Sequence, residues 1–180
     1  MLLKTLLLFS FGLSLPLRAA DCEVVRAIPI RLINDAAINP RVMVAARQEA
    51  AYVLKSLCVQ VEWTTNSSPA LEMRMIVGPL SAGITDRALG LTIFPPDHRN
   101  RGAVFLSRVS AMEQTYGYLI DLGRLLGCVL AHEIGHMLLN TNAHSPEGIM
   151  IAHFGNAEIQ KAVQRQLLFT RSNREMFSAR

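Results

Sequence analysis

The polar and apolar positions of this chain fall into two periods. Residues 24–33 are apolar and rich in β-branched side chains, broken only by Arg26, Pro29 and Arg31, which predicts a strand. Asn39-Pro40 then carries the start signals of a helix, a capping side chain followed by proline in the first turn. Val42, Ala45, Ala46, Glu49, Tyr52, Val53 and Leu57 follow at helical spacing to about Cys58. Residues 59–63 alternate as a strand, a loop runs through Asn66, Ser67, Ser68 and Pro69, and Leu71, Met73, Met75 and Val77 alternate as a third strand. After a loop over 78–86, residues 89–94 form a short strand that Pro95-Pro96 ends; its length and the prolines place it at a sheet edge. Residues 97–102 are turn-like, and 103–109 read as one more strand. Near the end, residues 156–169 predict a helix capped by Asn156, with Ile159, Val163, Leu167 and Leu168 inward. Residues 170–180 are polar and read as a solvated, frayed tail.

Residues 119–130 break this amphipathic habit. They are apolar nearly all round, interrupted mainly by Asp121 and Arg124, as expected of a buried central helix. That helix leads into His132-Glu133-Ile134-Gly135-His136. Histidines four apart lie one above the other on a helix face, so both can reach a single zinc ion at about 2.0–2.1 Å. Glu133 points beside the metal without ligating it, within reach of a water proton there, the arrangement that peptide hydrolysis uses. Asn140-Thr141-Asn142 ends the helix, asparagine being tolerant of the left-handed cap; His144 and Met150 follow.

Two histidines around a glutamate, a helix stop, a third histidine and a nearby methionine resemble the metzincin zinc peptidases, whose motif is H-E-x-x-H-x-x-G-x-x-H followed by a Met-turn. Where that motif has glycine this chain has Leu139, and where it has the third histidine this chain has Asn142. The likeness is therefore to a variant with two extra residues in the turn, resting on about 20 residues. It implies an α+β fold, a single domain with a twisted mixed β-sheet and a long active-site helix. It also implies Zn2+ held by His132, His136 and His144, Glu133 as general base, Met150 as an apolar floor, and hydrolysis of a peptide or protein substrate.

Other assignments stay open. A catalytic zinc takes three protein ligands and an open position, and His144, Glu147, His153 and Glu158 are all in reach. His144 ranks first because it lies just past the helix stop. Glu158, 22 residues after His136, would make the site resemble thermolysin instead. His153 reads as a partly exposed loop histidine, or else as a donor to a developing oxyanion; Tyr116 and Tyr118 are further oxyanion candidates, and His98 lies in a polar turn. A non-catalytic exported zinc-binding module would need a fourth ligand and no general base. An amidase acting on a non-protein amide would share the same chemistry.

Composition and cysteines set the compartment. Residues 1–20 carry an early Lys4, an uncharged apolar run and a small-residue end at Ala19-Ala20, which predicts a secretory signal peptide ahead of a peptidase-like domain at 21–180. The protein is expected to be secreted or periplasmic, without a stable membrane anchor. Removing Lys4 and Arg18 from 18 basic residues leaves 16 against 14 acidic ones, so the basic pI of the full chain does not indicate a nucleic-acid partner. Of three cysteines, Cys22 and Cys58 are the expected bridge and Cys128 a small buried apolar residue; Cys22 as a latency cap on the zinc is the minor alternative.

Overall fold

A computed structural model of the chain describes residues 22, 26–66, 69–79, 85, 87–96 and 99–180. The expected leader at 1–20 and the turn histidine His98 lie outside them. The architecture is α+β: a five-stranded mixed sheet and five helices. The strands are β1 (Arg26–Asn34), β2 (Val59–Thr64), β3 (Leu71–Ile76), β4 (Gly90–Ile93) and β5 (Arg101–Phe105). Their order across the sheet is β2-β1-β3-β5-β4. The first four pair in parallel, and β4 is added antiparallel to β5 alone, as the edge strand expected for 89–94.

Side chains on the two faces of the sheet meet different surroundings. Ile30, Leu32, Leu71, Met73, Met75 and Val104 point inward and are buried. Arg31, Glu72 and Arg74 alternate with them and pair with one another on the open face. The inward face is covered by α1 (Pro40–Lys55) and α3 (Leu122–Leu139). Asn39 caps α1 as expected, accepting from the Arg41 amide at 2.9 Å. The two helices approach closely because α3 presents Gly123 and Gly127 to Ala45, Ala46 and Glu49; a Cβ on Gly127 would lie 2.5 Å from that of Glu49. Being wrapped by α1, the sheet and the C-terminal segments, α3 is buried on nearly every side, which explains its all-round apolarity.

Four expectations need correction. Residues 103–109 are not one strand: β5 ends at Phe105, and Leu106–Thr115 is a helix, α2. The short apolar run Ala103–Leu106 suits either conformation, and burial of Val109 with part-burial of Met112 at helical spacing decides it. Asp121 does not interrupt the central helix but caps it, accepting from the Arg124 amide at 2.9 Å. The helix expected at 156–169 stops early: α4 is Asn156–Val163 with Gly155 at its cap position, and Arg165 adopts a left-handed φ of 57°. Leu167 and Phe169 are buried in the extended segment that follows. The supposedly frayed tail is α5 (Arg171–Ser178), opened by reciprocal bonds between Thr170 and Asn173 and docked through buried Asn173 and Phe177.

Cys22 and Cys58 form a disulfide closing a span of 36 residues, the bond of an oxidising compartment. Cys128 is a buried free thiol; burial, then the nearby Glu49 carboxylate, pushes it up to about 12.

Candidate metal centre

The last two turns of α3 carry the site. Four residues of helix set His132 and His136 on one face, and their ring centroids lie 4.7 Å apart. Asn140 then takes the left-handed conformation, φ 45° and ψ 50°, and the Thr141 amide turns back to the His136 carbonyl. Past this stop the loop brings His144 to the pair, at 5.4 Å from the His132 ring and 5.0 Å from that of His136. One nitrogen from each of the three rings lies within 4.8 Å of the others. Among the described residues this is the group able to hold a metal.

The same loop orients the rings. The His132 Nδ1 is 2.7 Å from the Ile149 carbonyl, and the His136 Nδ1 is 2.7 Å from that of Thr141. A carbonyl only accepts, so both Nδ1 atoms carry the hydrogen and donate. Both Nε2 atoms are then left with lone pairs, and these face each other at 3.0 Å. Neither can donate to the other, so the two lone pairs repel and favour a positive charge between them. A proton does not meet the need at neutral pH, because burial, reinforced by His136, holds His132 down to about 3. Burial also lowers His136 and His144, the latter with help from His153. Two nitrogens sharing a tetrahedral zinc lie about 3.3–3.4 Å apart, close to the spacing found. The donor set therefore fits a metal ion that accepts three neutral imidazoles.

Support comes from below and behind. Met150 is buried under the helix: a Cβ on Gly135 would meet its Sδ at 2.6 Å and the Phe169 ring at 2.7 Å. The loop is pinned by Ile149 donating to the Leu168 carbonyl at 2.9 Å, and by Asn173 of α5 donating to Ser145 at 3.1 Å. Glu133 is buried, with its carboxyl against β4, where Thr92 Oγ1 lies 2.9 Å from Oε2. Burial pushes this carboxyl up to about 7, while the Thr92 bond pulls it down.

A cavity of about 430 Å³ opens beside His132 and Glu133, lined by Leu89, Gly90, Met112 and Phe154 among others. Of the sequence candidates, His132, His136 and His144 come together, with Glu133 adjacent. Glu158 is directed elsewhere, accepting from the Gly155 amide at 3.1 Å to cap α4, and Glu147 is exposed. His153 is exposed and lines the cavity. Tyr116 ends α2 and Tyr118 lies in the turn between α2 and α3; neither lines the cavity. Sequence reasoning passed over Thr92 because nothing local marks a threonine on a strand as a partner for a residue 41 positions away.

No family model and no curated protein matches the chain. Among solved structures, one titled "GM1 bound form of the ECX AB5 holotoxin" matches at 14% identity with a TM-score of 0.42, covering 82% of this chain and 74% of that one. A likeness at that level identifies neither a shared fold nor a shared activity.

Proposed function

We propose that this protein is an exported zinc endopeptidase of metzincin type, its zinc held by His132, His136 and His144. The observation that carries the reading is the pair of facing Nε2 lone pairs at 3.0 Å, with a third imidazole beside them and a buried carboxyl one residue along the helix. Zinc bound there supplies Lewis acidity, lowering the pKa of water from 15.7 toward about 7 and polarising a carbonyl. The chain's own part is proton handling and placement. Glu133 takes a proton from the attacking water and delivers it to the departing amine nitrogen. The cavity beside it leaves room for a substrate group next to His132 and Glu133. The unpaired side of β4 offers backbone N–H and C=O groups to an extended chain.

Metal content after dialysis tests the reading, on the parent, His144→Ala and Glu133→Ala. We expect one zinc per parent chain, severe loss in His144→Ala, and full retention without peptide cleavage in Glu133→Ala. A well-folded parent that takes up no zinc when offered it would end the proposal. If His144→Ala keeps its zinc and Glu158→Ala does not, the site is of the thermolysin-like kind.

A further inference from the structure

The edge strand touches the motif helix at one polar point. Thr92, buried on the inner face of β4, places its Oγ1 2.9 Å from Glu133 Oε2 and 3.0 Å from the Glu133 carbonyl. A threonine hydroxyl has one proton to give. The carbonyl lies in mid-helix, where the amide four residues on already serves it, so the carboxylate oxygen has the stronger claim. Two residues earlier, β4 has Gly90, and a Cβ there would stand 2.6 Å from Glu133 Oε1 and 2.7 Å from the Ala103 carbonyl. The second oxygen of the carboxylate therefore occupies room that only glycine leaves, and Gly90 and Glu133 line the same cavity. One oxygen is tethered at Thr92; the other lies against Gly90, which lines that cavity.

We propose that Thr92 is a positioning residue for Glu133: its hydroxyl fixes the carboxyl plane so that Oε1, lodged at Gly90, is the oxygen that works. This rests on the peptidase reading for its consequence in catalysis, and on the two β4 contacts alone for the geometry. The tether survives proton uptake, because a hydroxyl donates to a carboxylate and accepts from a carboxylic acid. Without it the carboxyl has a free torsion in a buried site and no fixed partner.

The test compares Thr92→Val, which keeps the shape and removes the hydroxyl, with Thr92→Ser, which restores it. Thr92→Ala serves if the valine variant does not fold. Each is loaded with zinc, assayed on a mixture of internally quenched peptides, and crystallised. We expect kcat for the best-cleaved peptide to fall about 10- to 100-fold in Thr92→Val, with KM and zinc content unchanged and recovery in Thr92→Ser. The crystal structure should show the Glu133 carboxyl rotated or spread over several positions in Thr92→Val and parent-like in Thr92→Ser. Parent-like kcat and carboxyl position in Thr92→Val would overturn the proposal, as would failure of a folded Thr92→Ser to recover. If the parent cleaves nothing while the carboxyl still moves on loss of the hydroxyl, the peptidase reading falls and the positioning role stands.

Discussion

Two buried groups side by side on α3 respond to protons in opposite senses. His132 is neutral and held down to about 3 from an ordinary 6.5, so the stability it contributes is present above 6.5 and is lost as pH falls. Glu133 is raised to about 7 from 4.5, so its contribution is present below 4.5 and is lost as pH rises through 7. In the metal-free parent the two nearly cancel between pH 7.5 and 5.5. Glu133→Gln removes one side of the balance. In that variant, denaturant unfolding should show stability falling by about 1.4 kcal/mol between pH 7.5 and 5.5 from His132 alone, with His136 and His144 adding in the same direction. A variant no more acid-sensitive than the parent would mean that Glu133 is not protonated in the metal-free fold. The tautomers follow from the same pair: the Ile149 and Thr141 carbonyls each fix one ring.

At the level of elements, the stop of α3 does more than end a helix. Asn140 in the left-handed conformation aims the chain so that the next residue, Thr141, offers its carbonyl back to His136 and the loop delivers His144. Asn140→Gly should be tolerated. Asn140→Val, which carries a β-branched side chain into that conformation, should cost about 1–2 kcal/mol and weaken zinc binding. Denaturation curves and zinc titration of the two variants check this; equal behaviour would show that the turn is not strained by a side chain. The helix stop and the paired histidines were legible beforehand because both are local: asparagine chemistry and a spacing of four. α2 and α5 were not. Ala103–Leu106 fits a strand or a helix until packing is known. α5 is amphipathic at the helical period, but so polar on average, with only Asn173 and Phe177 buried, that it reads as a solvated tail.

Across the whole molecule, one face of the sheet is covered by α1 and α3, and the site lies where α3, β4 and the C-terminal loop converge. Ahead of β1, Cys22 is tied to this body by its bridge to Cys58, and Arg26 at the start of the strand sets its guanidinium 4.9 Å from the Phe177 ring centroid. A loop of 36 residues implies that opening the bridge costs about 4 kcal/mol through unfolded-state entropy. The double variant Cys22→Ser, Cys58→Ser should lose most of that in denaturant unfolding while keeping its zinc, since neither cysteine is near the histidines. An unchanged midpoint would mean that the bridge constrains little. Loss of zinc would show that the N-terminus supports the site directly.

Some of this was settled by residue order. The i, i+4 histidines with glutamate between them, the asparagine stop, the edge strand ended by two prolines and the pairing of the two outer cysteines depend on neighbours in the chain or on the count of candidates. What packing alone decided depends on groups far apart in sequence. Ile149 reaches His132 across 17 residues, Asn173 reaches Ser145 across 28, and Thr92 reaches Glu133 across 41. Such contacts are set by where the helix lies on the sheet, which follows from burial of the whole apolar set. Hydrogen bonds between distant groups then take what that placement brings within reach.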